Sequence, residues 1–449
     1  MQSMRWFYPI AALFMAFVAY TCYFPSQDEF FRIVFPFAGA FAAYVWIAHN
    51  GASIGWKHIA LLALLSRVLI IAAFPNLSDD VFRFIWDGRL AHVGINPMTV
   101  LPSQVVGIDP LFPETLFGQL NSPGYYTVYP PLAQWIFYIS TIIQTETLWS
   151  EVIFMKVIVL LFDVGSMIGM VKLMRLMDLN PSLMAWYVLN PLVIIEISGN
   201  LHFEGIMICF IVWMIYFLQN SKFTLSGLAL GFSVITKLLP LMFIPLIWFS
   251  QKKSKVLPMF FLSAMLVLLA FAPYIVGPIS GGAGFSESLD LYMRKFEFNA
   301  SLYYLLRWVG YGLYGFNMIH VVGPGLAAIV LLLLVYLAYR YGPGADYTLL
   351  IHLMLISFCV FLFCSMTVHP WYVCIPIALA CFSKFRFPIV WSGLIFLTYI
   401  NYSYDPYREN LWVVGIEYVV VFCVLLWEIN RYGWLGQRSI STSRFETGP

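Results

Sequence analysis

Charged side chains are scarce in this chain: only 10% of its 449 residues are Asp, Glu, Lys or Arg, whereas 61% are hydrophobic and 18% aromatic. The mean hydropathy of +0.83 leaves too little polar surface to cover a soluble globule of this length. A net charge of only +2 provides no basic surface for nucleic acid. The composition predicts an all-α polytopic membrane protein, forming a single integral membrane domain over residues 1–449.

Cysteine is also rare, and its spacing excludes two kinds of site. No C-x-x-C pair occurs, so neither a disulfide framework nor a metal centre is predicted. The first apolar run, 7–24, has no A-x-A-type cleavage signal, and we interpret it as a retained helix. The cysteines lie in or beside apolar runs and serve as small apolar filler: Cys22, Cys209, Cys359, Cys364, Cys374, Cys381 and Cys423.

The lysine and arginine positions orient the apolar runs, because a spanning helix needs roughly 20 apolar residues and cytoplasmic ends carry the positive charge. Arg5 places the N-terminus inside, and Lys172 with Arg175 makes the run 150–171 travel inward. Both termini are then cytoplasmic, and two long external loops remain, 76–149 and 279–317. The predicted full crossings, about a dozen, are 7–24, 31–48, 58–75, 150–171, 182–198, 203–219, 256–275, 318–339, 347–366, 370–383, 387–400 and 411–428.

The segment 223–250 begins and ends at positive clusters, so it must turn within the membrane. Gly231 and the sequence K-L-L-P at 237–240 predict a break. We interpret the segment as two half-length helices that meet near Thr236 and Lys237, a device tolerated where backbone lines a cavity.

The first external loop carries five charges within the eleven residues 79–89. At helical spacing Asp79, Asp80, Arg83 and Asp87 share one arc, while apolar side chains occupy the other side. This pattern predicts an amphipathic helix at the outer interface, with Ser78 as its N-cap and an end before N-P at 96–97. A second interfacial helix is predicted to begin at Y-P-P, 129–131.

These residues resemble the first luminal loop of the GT-C superfamily of membrane glycosyltransferases, especially its polyprenol-phosphate-mannose-dependent branch. The resemblance rests on D-D-x-x-x-x-x-W-D-G-R at 79–89, G-I-N-P at 94–97 and Y-P-P-L-A-Q at 129–134. Shorter patterns of the same kind occur at 200–205 (N-L-H-F-E-G), 236–240 (T-K-L-L-P), 298–301 (F-N-A-S) and 369–372 (H-P-W-Y). The resemblance implies a bundle of about 12–14 transmembrane helices, with two juxtamembrane helices in the long first external loop. No external C-terminal module is expected after the last apolar run.

The resemblance also implies an activity: transfer of one sugar, mannose by analogy, from a polyprenyl-phosphate donor to a lipid, glycan or protein. The expected site faces the external side of a bacterial inner (cytoplasmic) membrane. An inverting transfer needs a carboxylate that deprotonates the acceptor hydroxyl, and Asp79 or Asp80 is the candidate base, with Asp79 favoured. Lys237, His202 and His369 are the candidate cations for the donor phosphate, so no metal or other cofactor is expected. The candidate substrate-binding residues are Arg83, Asp87, Arg89, Tyr129, His202, Glu204, Lys237, Asn299, His369 and Tyr372.

Several alternatives stay open from the sequence alone. Asp79 and Asp80 would also suit a helix start as capping acids, and Arg83 with Asp87 would suit a structural i, i+4 pair. A transporter or flippase of lipid-linked or small polar substrates is the alternative function, with Asp163 and Lys237 as its coupling pair. Two further intramembrane acids are interpreted separately. Glu417 is expected to be a packed polar contact between helices, and Glu196 is a further substrate-site candidate.

Overall fold

A computed structural model describes residues 2–142, 147–275, 284, 287 and 296–436 of the chain. The described residues are mainly helical, and their one β-type pairing is a parallel bridge between Phe298 and Thr367. Parts of the two predicted external loops, 143–146 and most of 279–295, lie outside the described residues. The longer helices are α1 (Gln2–Tyr23), α2 (Phe30–His49), α3 (Trp56–Leu69), α4 (Asp80–His92), α5 (Pro131–Ser140), α6 (Trp149–Leu176), α7 (Glu204–Gln219), α8 (Phe223–Thr236), α9 (Ile244–Ser250), α10 (Lys253–Ile275), α11 (Leu302–Tyr314), α12 (Ile319–Tyr341), α13 (Tyr347–Cys364), α14 (Cys374–Ala380), α15 (Phe387–Leu394) and α16 (Leu411–Tyr432).

Short helical pieces connect these elements. Single α-helical turns lie at Gly51–Ile54, Glu114–Phe117, Ala185–Val188 and Pro191–Val193. Five segments of 3₁₀-helix lie at Pro102–Gln104, Pro181–Met184, Leu239–Phe243, Pro370–Val373 and Ile395–Ser403. Residues Ile194–Gly199 form a π-helix, a rare element that occurs often at functional sites.

The all-α polytopic fold is confirmed. Within the described residues seven helices are long and apolar enough to cross a membrane: α1, α2, α6, α10, α12, α13 and α16. The pair Pro181–Val188 and Pro191–Gly199 passes the same criteria as one span bent by 59°. The predicted total of 12–14 is approached only if shorter apolar helices are counted too, such as α7 and α8. The predicted crossings 58–75 and 370–383 contain helices of only 14 and 7 residues, less than the roughly 20 that a single span needs.

The segment 223–250 forms two short arms, as its sequence predicts. The first arm, α8, is 14 residues long and ends at Thr236, where Lys237 adopts an extended backbone. Both ends of the segment lie at one end of the bundle: Lys222 N–H bonds Phe217, Tyr347 Oη bonds Leu218, and Phe249 packs beside Gly342. At 1.5 Å per residue, Lys237 therefore stands about 21 Å above that end.

The helices of the first external loop are buried more completely than predicted. Helix α4 was expected to lie flat with a free polar face, but Arg83 and Asp87 are as buried as Ile85 and Trp86 on the opposite side. Trp86 packs against Phe112 and Phe117 of the following loop, which covers the helix. Burial of Arg83 and Asp87 is possible because the two side chains pair with each other at 2.8 Å.

Close approach of α4 and α5 requires a glycine. A Cβ atom at Gly88 would overlap the Phe137 carbonyl, and the side chain of Thr141 lies on the same side. The sequence W-D-G-R therefore places the smallest residue where the two helices touch.

Candidate active site

Asp79 and Asp80 stand at the exposed start of α4, but their surroundings differ. Asp80 accepts hydrogen bonds from Asn121 Nδ2 at 2.8 Å and from Tyr129 Oη at 3.1 Å. Asp79 is the N-cap residue, yet its side chain makes no capping bond; instead Ser78 Oγ accepts from the Asp80 N–H. In the described part of the chain the Asp79 carboxylate has no hydrogen bond or ion pair. These contacts do not favour the helix-capping alternative for Asp79.

The environment of Asp79 favours its neutral form. Partial burial raises the pKa of the Asp79 carboxyl above its usual 3.8, and the adjacent negative charge of Asp80 raises it further. A carboxylate that is free of partners and has a raised pKa can accept a proton from a hydroxyl group more readily than an ordinary aspartate.

His202 lies beside the acid pair, held by the π-helix. Its Nδ1 lies 2.9 Å from the Glu196 carbonyl and 3.2 Å from Glu196 Oε2, and its Nε2 lies 3.8 Å from Asp80 Oδ2. Leu201, just before it, adopts a left-handed backbone (φ 64°), which turns the chain into α7. Burial alone would lower the pKa of His202, but the carboxylates of Glu196, Asp80 and Glu204 together raise it. His202 therefore carries positive charge more readily than a free histidine.

Four stacked aromatic rings connect His202 with the second external loop. His202 stacks on Trp371 with ring centroids 3.6 Å apart, Trp371 stacks on His369 at 4.4 Å, and His369 stacks on Phe298 at 4.8 Å. Phe298 and residues 366–368 are joined by backbone hydrogen bonds, which hold this end of the stack. The stack brings the H-P-W-Y and F-N-A-S sequences to the D-D pair.

His369 lies in the middle of the ring stack. Burial and the positive charges of Lys237 and His202 lower the pKa of His369 to about 3. These surroundings disfavour a positive charge on the ring, and contact of His369 with the donor phosphate stays a prediction.

Lys237 lies at the break between α8 and the next 3₁₀ turn. Its ammonium pairs with the buried carboxylate of Glu204 and lies 4.4 Å from the centre of the Tyr372 ring. The Lys237 side chain keeps 29% of its surface exposed, whereas that of Glu204 keeps 2%. The free side of the ammonium is thus open to a ligand, while Glu204 and Tyr372 fix its position.

Arg83, Asp87 and Arg89 form internal contacts behind the site. Arg83 Nε bonds Asp87 Oδ1 at 2.8 Å, and Arg83 Nη1 bonds the carbonyls of Ser122 and Tyr125. Arg89 pairs with Glu151 at 3.1 Å. These contacts favour a structural part, in which α4 is tied to the covering loop and to α6; direct contact with substrate stays a prediction for these three.

Asn299 is fully buried and faces the last helix. Its Nδ2 donates to Glu417 Oε1 at 3.1 Å, and its backbone N–H donates to Glu409. Trp391 Nε1 also bonds Glu417, so that acid is a packed polar contact in this structure. Asn299 supports the turn that carries Phe298, and a direct contact with substrate stays a prediction.

The pairing expected of a transporter is not formed within the described residues. Asp163 accepts from Arg67 Nε at 2.6 Å and from Ser198 Oγ at 2.8 Å, deep in the bundle. Lys237 pairs with Glu204 instead. Asp163 and Lys237 therefore have separate partners and no direct link.

Three residues around the site had little or no signal in the sequence. Asn121 and Tyr399 lie in stretches without a motif, and Tyr399 Oη donates to Glu196 Oε1 at 2.9 Å. Trp371 belongs to the H-P-W-Y motif, but its role as the ring on which His202 stacks could not be read from that motif. Glu196, a further substrate-site candidate, is fully buried and positions His202 rather than facing the open side of the site.

Part of the chain is similar to known mannosyltransferases. A family model described as "Alpha-(1->6)-mannopyranosyltransferase, N-terminal domain" matches residues 31–251. That range contains the acid pair, His202, Glu204 and Lys237. Over this range the chain is similar to a mannosyltransferase family. It is also 26% identical over 160 residues to alpha-(1->6)-mannopyranosyltransferase A of Corynebacterium glutamicum, a match of 35% of this chain and 31% of that protein.

The chain spans about a third of the length of the curated relative it matches. The second-loop and H-P-W-Y residues lie beyond the family match at 31–251. No solved structure matches the chain significantly. The contacts of Trp371 with His202 and of Tyr372 with Lys237 therefore join the matched region to residues outside it.

Proposed function

We propose that this protein transfers a mannosyl residue from a polyprenyl-phosphate donor to a hydroxyl group of a lipid, glycan or protein acceptor, with inversion and with Asp79 as general base. The observation that carries the proposal is the open Asp79 carboxylate. Asp79 has no partner among the described residues, whereas the neighbouring Asp80 accepts hydrogen bonds from Asn121 and Tyr129. The names of the matched family and of the Corynebacterium glutamicum relative support mannose as the sugar.

The proposed step is a single displacement. The acceptor oxygen gives its proton to Asp79 and forms a bond to the anomeric carbon, while the bond from that carbon to the phosphate oxygen breaks and the electron pair leaves with the phosphate. If the product is an α-mannoside, as the relatives' names state for them, inversion requires a β-linked donor. Asp80, fixed by Asn121 and Tyr129, keeps the start of α4 in place and raises the pKa of its neighbour.

In this mechanism Lys237 holds the single phosphate of the donor. We expect Lys237→Met to raise the donor KM or lower kcat, because the substituted side chain keeps its length but loses its charge. Lys237→Arg should retain part of the activity, since the charge survives. A thermal unfolding scan checks folding, and Lys252→Met, an exposed lysine at the far end of the bundle, is the control.

A second substitution, at Glu204, separates loss of donor binding from loss of protein stability. In Lys237→Met the buried Glu204 carboxylate has lost its partner, which alone would destabilise the protein. The double variant Lys237→Met with Glu204→Gln removes that charge. If the double variant recovers both stability and the wild-type donor KM, Lys237 does not hold the phosphate.

We expect transfer to survive chelation, because cationic side chains can stabilise a leaving group with one phosphate. The activity of purified protein should be unchanged after dialysis against EDTA. Loss of turnover in EDTA that is restored by Mg²⁺ or Mn²⁺ would contradict this and would assign cation binding to the acid pair.

The proposed site faces the external side of a bacterial inner membrane. Helices α3 and α6 are antiparallel, with Arg67 beside Asp163 and Trp56 beside Arg175. Lys57, Lys172 and Arg175 therefore lie at the end opposite to Asp79, and positive charge marks the cytoplasmic end.

The decisive experiment supplies the purified full-length protein with radiolabelled polyprenyl-phosphate mannose and membrane extract. A matched panel replaces the donor with polyprenyl-phosphate glucose or with nucleotide-linked mannose. We expect label in an extract component only with polyprenyl-phosphate mannose, and NMR of the product should show an inverted anomeric centre. Transfer from the nucleotide donor, or retention of configuration, would refute the proposal.

A further inference from the structure

A groove lies between α3 and α6, at the end of the bundle opposite to Asp79. It has a volume of about 370 Å³ and apolar walls that include Ala60, Leu64, Met167 and Ile168. Leu61 and Ile168 on its rim are about half exposed, so the groove opens towards the surface that meets lipid. Acyl chains would fill such a groove in a membrane, and its selectivity must therefore come from the groups at its mouth.

The mouth of the groove is strongly basic. Arg175 lies 5.1 Å and Lys57 6.0 Å from the centre of the Trp56 ring, and Lys172 lies 5.2 Å from that of Trp213. The aromatic faces hold these cations in place without neutralising them. Within the described residues no ion pair is formed by Lys57, Lys172 or Arg175. Asp178, three residues after Arg175, is exposed and pairs with none of them.

Helix ends do not account for all of this charge. Lys172 and Arg175 lie at the C-terminal end of α6, where the helix dipole favours cations. Lys57 lies in the first turn of α3, where the dipole disfavours them. Lys172 and Arg175 line the apolar groove, and Lys57 lies beside Trp56 on its wall. These cations are complementary to an anionic headgroup that is attached to an acyl chain.

We propose that this groove is a binding site for an anionic phospholipid of the leaflet opposite to the active site. One acyl chain occupies the groove, and the headgroup phosphate contacts Lys172, Arg175 and Lys57. The site is independent of the sugar donor, since α3 and the bundle core separate it from Asp79.

Native mass spectrometry of the full-length protein tests this proposal with phosphatidylglycerol and phosphatidylcholine of identical acyl chains. The wild type should retain phosphatidylglycerol preferentially. Lys172→Gln with Arg175→Gln should weaken phosphatidylglycerol binding roughly 10- to 30-fold and leave phosphatidylcholine unchanged. Lys252→Gln with Lys255→Gln, two exposed lysines elsewhere at the same end, is the charge-matched control and should behave as wild type.

Two further variants keep the proposal testable if the double variant unfolds. Lys57→Gln, on the other helix, should lose part of the same preference. Ala60→Phe fills the groove and should weaken binding of both lipids while leaving the charges intact. The proposal is wrong if the wild type has no preference for phosphatidylglycerol, if Lys57→Gln keeps the full preference, or if the control loses as much as the groove variant.

Discussion

Replacing Asp79 by Asn is expected to lower the transfer rate about 10²- to 10⁴-fold while leaving the protein folded. The amide has almost the shape of the carboxylate but cannot accept the acceptor proton. Because the Asp79 side chain makes no capping bond, its loss removes no hydrogen bond from the described structure. Initial rates with saturating donor, together with a thermal unfolding scan, measure the two effects separately.

Matched variants make this expectation specific. Asp79→Glu keeps a carboxylate and should retain measurable activity. Glu114→Gln removes an exposed acid from the same external loop and should be fully active. Asp80→Asn keeps only one acceptor oxygen for Asn121 and Tyr129, so we expect a smaller, partly structural decrease. A fully active Asp79→Asn beside an inactive Asp80→Asn would assign the base to Asp80.

Breaking the ion pair between Arg67 and Asp163 is expected to destabilise the protein by about 3–5 kcal/mol. Both side chains are 1% exposed, and Arg67 also donates to the carbonyls of Ala63 and Val188. In Arg67→Leu the Asp163 charge stays buried with only Ser198 as a partner. Equilibrium unfolding in mixed detergent micelles measures the loss.

The double variant Arg67→Leu with Asp163→Leu should recover most of that stability, because neither charge is then left buried alone. Arg32→Leu serves as the control, since its pair with Glu29 is exposed and should contribute little. If Arg67→Leu is no less stable than Arg32→Leu, the pair does not hold α3 to α6.

The positions of the main helices follow from the sequence because long apolar runs have few alternatives in a membrane. The break at Lys237 was also predictable, from its lysine and the proline at 240. The bend of 59° before Pro191 was missed, although Asn190-Pro191 is a pair that ends helices. Short helices such as α14 cannot be distinguished from full spans by hydropathy, since burial among other helices also selects apolar residues.

The acid pair could be predicted, but the difference between its members could not. Asp80 is engaged and Asp79 is free because Asn121 and Tyr129 approach from 41 and 49 residues away. Likewise the pKa of His369 is lowered by burial and by the charges of Lys237 and His202, which are distant in the sequence. Periodicity within one segment contains no information about such contacts. The burial of Arg83 and Asp87 could not be predicted for the same reason, because it depends on the loop that covers α4.

The pH dependence of kcat/KM in the wild type and in Asp80→Asn tests the central claim most directly. If Asp79 is the base, activity falls as the pH falls through its pKa, which lies above the usual 3.8 through burial and the charge of Asp80. Removing that charge should move the acid limb to lower pH while transfer continues. An acid limb that does not move in Asp80→Asn, or a complete loss of transfer in a folded Asp80→Asn protein, would contradict the assignment of Asp79 as the base.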